Sequence, residues 1–321
     1  MSDAHVREDQ VTRHVLMIRP ACFSGNLQTA ASNRFQNLEA SAASRDPQSA
    51  AVTEFDGLVH ALRMQGVRVV VVDDSIDPVT PDALFPNNWV SFHADGTVVL
   101  YPMLAPNRRL ERRMDIIEAL GREQGFRTDR IVDLTYGEQE GRFLEGTGSL
   151  VLDRRNRVAY ACLSPRTDPA MLDEFGRRLG YKAIPFSATD ASGYPIYHTN
   201  VMLSVGDRFA AVCTDSIVET DRHRVVDSLR STGHELIELT RPQMECFALN
   251  LLELRGANQQ RLVVVSAAGF ASLDARQKES FERLGLAIVA VPLSTIERLG
   301  GGSARCMIAE IHLPSAPPGR G

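Results

Sequence analysis

Cys306 closes the run Gly300-Gly301-Gly302-Ser303-Ala304-Arg305-Cys306. Glycines tolerate positive φ and close backbone approach, so this stretch can turn sharply and bring a ligand near. The apolar segment Met307 to Leu313 follows and reads as a strand, which sets one thiol at the head of that strand. Such a thiol is either an ordinary buried cysteine or a nucleophile, and a nucleophile needs an acid/base group and an orienting carboxylate. His198, in Tyr197-His198-Thr199-Asn200, and Glu145, in Phe143-Leu144-Glu145-Gly146-Thr147-Gly148, are the candidates. Each alone has a plain structural explanation: a satisfied core histidine, or a carboxylate accepting backbone N–H groups. Together with the thiol they form a set for covalent catalysis. Asn87-Asn88, after Phe85-Pro86, is by itself a turn signal.

The elements that must bring these residues together recur along the chain. Trp89 to Phe92, a turn at His93-Ala94-Asp95-Gly96, and Thr97 to Tyr101 read as a hairpin with a strong Asp-Gly signal. The pattern repeats at 149–160, 200–212 and 251–265, and Cys306 to Leu313 is a fifth strand expected to pair with the apolar run near Val15. Amphipathic stretches at 51–66, 107–124, 167–180, 219–232 and 274–284 read as helices. Short apolar runs follow most of them, such as Ile131-Val132 and Ala287 to Val291. Val67 to Val72 reads as a strand buried on both faces, and Asn26, Thr29, Asn33 and Gln36 are spaced to share one helix face. The unit is hairpin, helix, strand at a period of roughly 50–60 residues, the range of modular repeats. No Gly fingerprint of a dinucleotide fold follows an early strand. Five units predict a closed ring of modules, an α/β fold in one domain over 1–321, with loose termini at 1–13 and 315–321. At the heads of the five hairpins stand Asn87-Asn88, Glu145-Gly146-Thr147-Gly148, His198-Thr199-Asn200, the segment from Gln243 through Cys246 to Asn250, and Cys306. Equivalent ends of equivalent strands converge, so Asn88, Glu145, His198, Asn200 and Cys306 are expected at one axial site.

Composition narrows the class. The 321 residues are 44% apolar and 23% charged with a net charge of -5, which argues against a nucleic-acid partner. No apolar run reaches the roughly 18 residues of a membrane span, and Met1 to Gln10 holds no signal-peptide core. Five scattered cysteines without a CxxC or zinc spacing fit reduced thiols in a cytoplasm, with no metal site.

The order Glu-Gly-Thr-Gly, His-Thr-Asn, then Gly-Gly-Gly-Ser-Ala-Arg-Cys resembles the guanidino-group-modifying superfamily of arginine deiminases, dimethylarginine dimethylaminohydrolases and amidinotransferases. The resemblance runs from Arg19-Pro20 to Cys306, and through Phe-Pro-Asn-Asn-Trp and His-Thr-Asn it is nearest to the citrulline hydrolase branch. It implies the five-bladed α/β propeller, or pentein fold. It also implies Cys306 as nucleophile, His198 as acid/base and Glu145 as the carboxylate of the Leu-Glu-Gly motif. Arg166, in Ser164-Pro165-Arg166-Thr167, resembles an arginine that binds the substrate α-carboxylate. Arg109, in Arg108-Arg109, resembles a second family arginine. Guanidino hydrolases place carboxylates where this chain has Asn88 and Asn200, so the expected substrate is the neutral ureido group of citrulline, bound with the help of Asn87.

The chemistry this predicts is hydrolytic C–N cleavage without cofactor or metal. A His198 imidazolium would favour the Cys306 thiolate at neutral pH, and His198 would then protonate the leaving nitrogen and activate water. One alternative keeps the class and changes the substrate to arginine or a methylated arginine. Another is a non-catalytic propeller that binds a metabolite or protein. The expected partner is a small ureido or guanidino amino acid, and a homodimer is expected.

Overall fold

A computed structural model describes residues 8–39 and 46–316. Its strands are β1 (His14–Arg19), β2 (Arg68–Asp73), β3 (Val90–Phe92), β4 (Thr97–Leu100), β5 (Arg130–Asp133), β6 (Val151–Asp153), β7 (Val158–Cys162), β8 (Lys182–Phe186), β9 (Leu203–Val205), β10 (Phe209–Val212), β11 (Glu235–Glu238), β12 (Leu252–Arg255), β13 (Arg261–Ser266), β14 (Ala287–Val291) and β15 (Ala309–Ile311). They form five three-stranded sheets, β15-β1-β2, β3-β4-β5, β6-β7-β8, β9-β10-β11 and β12-β13-β14. In each, the middle strand pairs antiparallel on one side and parallel on the other. Val15, for example, faces Glu310 antiparallel and Val69 parallel.

The middle strands explain the near-continuous apolar runs. Side chains alternate across a strand, and here both faces are covered. Leu16 and Ile18 enter a core shared with β3, β4 and β15, while Val15 and Met17 enter one shared with β12, β13 and β14. Val98 belongs to the first of these cores and Val99 to a third, with Leu152, Ala159 and Ala161. Tyr160 joins a fourth with β9, β10 and Val263, whereas Val264 returns to the core of Val15. Each sheet thus shares a core with the next, and the five close a circuit.

Helices make the parallel crossovers. The one at Pro169–Leu179 shows why the chain folds so locally. Asp168 caps it by accepting from the backbone N–H groups of Ala170 and Met171, proline sits in the first turn, and Gly180 ends it in the left-handed region at φ 70°. Met171, Leu172, Phe175 and Leu179 supply the buried face. Losing such a cap costs about 1 kcal/mol.

Several expectations change. Val69 to Val72 are only half-buried, because β2 is an edge strand paired on one side. The helix expected over 107–124 divides into a 3₁₀ turn at Pro106–Glu111 and a helix at Met114–Arg122, since Arg112 is extended. In the stretch after residue 20, the helix at Leu27–Ala30 is a single turn; Asn26 and Thr29 are buried against Asp82 Oδ2, while Asn33, beyond the helix, donates to the Gly301 carbonyl. The residues from 8 onward are not loose. Glu8 is buried against Arg154 at 2.6 Å and Tyr181 at 2.9 Å, and Gln10 bonds the carbonyls of Leu152 and Val205. At the other end Ala316 N–H donates to the Gly125 carbonyl. The rest of the expected loose ends, 1–7 and 317–321, lies outside the described residues. No described helix is long and apolar enough to cross a membrane.

Candidate active site

The heads of the sheets lie close together around Cys306 and His198. Asn88 precedes β3, Glu145 to Gly148 precede β6, His198 to Asn200 precede β9, Asn250 precedes β12 and Cys306 precedes β15. Cys306 lies in a turn three residues before its strand rather than at the strand's start. Its N–H donates to the Ser303 carbonyl at 3.0 Å. Gly301 ends the preceding helix, Ser294–Gly300, in the left-handed region at φ 63°, so the glycine run is a helix stop that redirects the chain. Cys306, His198, Arg166, Arg108, Asn88 and Asp82 line one narrow cleft.

His198 Nε2 is 2.8 Å from Glu145 Oε2. Burial pushes the imidazole down to about 4, against the raising influence of Glu145. Burial would raise Glu145, but Arg166, the His198 hydrogen bond and Arg108 outweigh it and hold its carboxyl well below the usual range. Near neutral pH the resting pair is therefore a neutral imidazole donating Nε2–H to a carboxylate, with Nδ1 left as a base. This corrects the expected resting imidazolium: desolvation exceeds what the carboxylate returns.

The glycines of Glu145-Gly146-Thr147-Gly148 have a steric reason. Gly146 has φ 46°, and a Cβ there would stand 2.2 Å from the Asn87 carbonyl oxygen. At Gly148 a Cβ would stand 2.5 Å from Asn88 Nδ2 and 2.7 Å from His198 Nδ1. The absent side chain lets Asn88 and His198 become neighbours.

Cys306 Sγ receives Asn250 Nδ2 at 3.2 Å and Asn200 Nδ2 at 3.4 Å. Two N–H donors aimed at sulfur stabilise negative charge there. Asn200 therefore serves the thiol from behind. With Arg305 and Glu310 it lines a separate internal cavity, not the cleft, which corrects its expected place beside the substrate. Asn250 carries the second donor. Its place at the head of the fourth hairpin is the signal that finds it.

Asn88 lines the cleft, whereas Asn87 is buried behind it and accepts from Asn88 Nδ2 at 3.0 Å. Arg166 lines the cleft but is already engaged. Its Nη1 is 3.3 Å from Glu145 Oε2, Nη2 donates to the Thr29 carbonyl at 3.0 Å, and Nε donates to Ser32 Oγ at 3.0 Å. The guanidinium expected to be open to a carboxylate thus anchors Glu145. Arg109 is not in the cleft. It bonds the Met103 and Leu104 carbonyls and faces Glu138 at 3.5 Å. Arg108 takes its place, because successive residues of a 3₁₀ turn diverge by about 120°. Burial works against the charge of Arg108, but Glu111 and Asp82 more than offset it and raise its pKa.

Asp82 has no sequence signal of its own. Its Oδ2 accepts from Asn26 Nδ2 at 2.8 Å. Its buried Oδ1 has no hydrogen-bond partner among the described residues. An unpaired buried carboxylate oxygen on a cleft is a place for a ligand's N–H donor. Among the described residues no group of three or more His, Cys, Asp or Glu could hold a metal ion.

A family profile described as N,N dimethylarginine dimethylhydrolase, eukaryotic, matches residues 19–313. No curated protein is significantly similar in sequence. Among solved structures, the apo form of ArgZ, an arginine dihydrolase from the ornithine-ammonia cycle in cyanobacteria, is 18% identical with a TM-score of 0.73. That comparison covers 95% of this chain and 41% of ArgZ, so the chain spans about two fifths of the full ArgZ length. The N-terminal domain of ArgZ, covalently bound to a reaction intermediate, is 18% identical with a TM-score of 0.71, covering 95% of this chain and 99% of that one. The dimethylarginine hydrolase of Pseudomonas aeruginosa, in a mutant complexed with citrulline, is 14% identical with a TM-score of 0.63, covering 94% of this chain and 100% of that one. These likenesses establish the mixed α/β pentein fold. With the profile spanning residues 19–313, the chain belongs to the N,N dimethylarginine dimethylhydrolase family, within the pentein superfamily of guanidino-group-modifying enzymes.

Proposed function

We infer that the protein is a cysteine-dependent hydrolase of the C–N bond of a ureido or guanidino amino acid, with citrulline as its substrate. The observation that carries the class is one cleft holding the Cys306 thiol, flanked by two N–H donors, and a buried neutral His198 fixed by Glu145. Cys306 gives its proton to His198 Nδ1 and attacks the ureido carbon. The proton passes to the leaving nitrogen, ammonia departs, and a thiocarbamate remains on sulfur. Water, deprotonated by His198, then attacks the same carbon. The S–C bond breaks and the thiol is restored. The carbamate of ornithine that leaves loses carbon dioxide to give ornithine.

Citrulline is favoured at the Asn88 edge. Asn88 Oδ1 is taken by Arg108 at 2.7 Å, so what remains there is an N–H donor beside a cation. That edge fits a neutral group with a carbonyl oxygen, and it disfavours a guanidinium, which has donors only and carries positive charge.

One observation favours arginine or a methylated arginine instead. The unpartnered Asp82 Oδ1 offers a countercharge on the cleft, and a buried guanidinium needs one. The family match and the arginine dihydrolase ArgZ support this second reading. The two separate in one assay: purified protein with citrulline, arginine or dimethylarginine, following ammonia, ornithine, citrulline and dimethylamine. Ornithine and ammonia from citrulline support the first reading. Citrulline as the end product from arginine or dimethylarginine replaces it with the second. Absence of turnover with all three, with no selectively reactive Cys306, would leave a binding propeller.

A further inference from the structure

Arg108 grips Glu111 with two bonds of 2.9 Å, Nε to Oε1 and Nη2 to Oε2. Its Nη1 reaches Asn88 Oδ1 at 2.7 Å. A guanidinium has donors and no acceptor. The Asn88 atom facing it is therefore the oxygen, and flipping the carboxamide would set donor against donor. Nδ2 is turned the other way, where it donates one hydrogen to Asn87 Oδ1 at 3.0 Å and lies beside the His198 ring across Gly148. Asn87, Asn88, Arg108 and Glu111 are all buried, so water does not compete for these positions. Glu111 does not line the cleft, and both of its carboxylate oxygens bond to Arg108.

We propose that Glu111 and Arg108 are positioning residues that set the chemical class of the substrate. They lock Asn88 with its N–H edge toward the reacting group, so the site selects the carbonyl oxygen of a ureido group over a guanidinium. The inference rests on the hydrolase reading of the cleft and adds, in Glu111, a determinant outside it.

Binding tests it without relying on turnover. Citrulline and arginine are titrated by calorimetry into a Cys306→Ser parent and into that parent carrying Glu111→Gln, Asn88→Ala or both. The parent is expected to bind citrulline at least tenfold more tightly than arginine. Glu111→Gln should bring that ratio to within about threefold of unity, as should Asn88→Ala, and the double change should add little, since residues acting through one another are non-additive. A purely structural Glu111 would weaken both ligands alike and leave the ratio standing. Arg108→Lys, which keeps the charge but cannot bridge Glu111 and Asn88 with one fork, should repeat the Glu111→Gln result and reads the same question if Glu111→Gln does not fold. An unchanged ratio, or additive losses, overturns the inference and leaves the hydrolase reading intact. A parent that prefers arginine also overturns it. A parent that binds neither amino acid overturns both.

Discussion

His198 Nε2 and Glu145 Oε2 meet at 2.8 Å with both side chains buried. The contact fixes more than position. By taking the Nε2 hydrogen, the carboxylate decides the tautomer and leaves Nδ1 as the basic nitrogen. Because burial outweighs Glu145 and the imidazole is held at about 4, His198 is a ready base at neutral pH rather than a resting cation. Glu145 is itself fixed by the Leu104 N–H at 3.0 Å and by Arg166, so the catalytic pair is held from two sides.

The depressed His198 pKa has a stability consequence of defined sign. The folded imidazole titrates at about 4 and the ordinary value is 6.5. Between these, the unfolded chain binds a proton that the fold excludes, so stability is full above 6.5 and is lost as pH falls toward 4. The contribution is about 3 kcal/mol at 1.36 kcal/mol per pKa unit. Urea unfolding of wild type and His198→Gln at pH 7 and pH 4 measures it. Wild type should lose about 3 kcal/mol more than the variant, and equal losses would place the imidazole elsewhere.

Gly148→Ala should separate folding from catalysis. The new Cβ would press on Asn88 Nδ2 and His198 Nδ1, and a misplacement of about 1 Å can cost 10²-fold in rate. The expected outcome is a drop in kcat of about that size with near-normal circular dichroism. Unchanged kcat would mean that Asn88 and His198 need no such close approach.

The fold was readable because its signals are local. Alternating cores make each middle strand continuously apolar, and hairpin turns mark its start, so β3-β4 and β12-β13 could be placed from residue types. The site was readable where it follows the repeat: Asn88, Glu145, His198 and Cys306 head successive sheets. It was misread where geometry within one turn decides. Arg108 and Arg109 are adjacent and alike, and only the 3₁₀ rotation says which enters. Asn200 and Asn88 head equivalent strands, yet one faces the cleft and the other the back of the thiol. Asp82 stands on a loop outside the repeat, where no periodicity reports it.

Cys306→Ser should fold and lose turnover by at least about 10³-fold, because a serine alkoxide is far harder to form than a thiolate. Cys22, Cys162, Cys213 and Cys246 should each be replaceable by Ala with activity retained, since none of them lines the cleft. Mass spectrometry of quenched wild-type turnover should find one adduct, on the Cys306 peptide. Turnover retained in Cys306→Ser would exclude the covalent route.

Asn88→Asp and Asn200→Asp should differ, although the two residues have equivalent places in the repeat. At position 88 a carboxylate would sit on the cleft beside Arg108. It would present acceptors and negative charge where Nδ2 now donates, so citrulline turnover should fall at least tenfold and arginine should bind more tightly. At position 200 the carboxylate would face Cys306 Sγ from behind, replacing a donor at 3.4 Å with a like charge for the thiolate. Arginine binding should not improve there. Instead kcat should fall for every substrate, and alkylation of Cys306 by iodoacetamide should slow. The pair of measurements is substrate affinity in the Cys306→Ser background and alkylation rate in the Cys306 enzyme. Position 88 should move the first and leave the second within about twofold, and position 200 the reverse. If Asn200→Asp instead raises arginine affinity as Asn88→Asp does, then Asn200 contacts the substrate and its place behind the thiol is not its functional one.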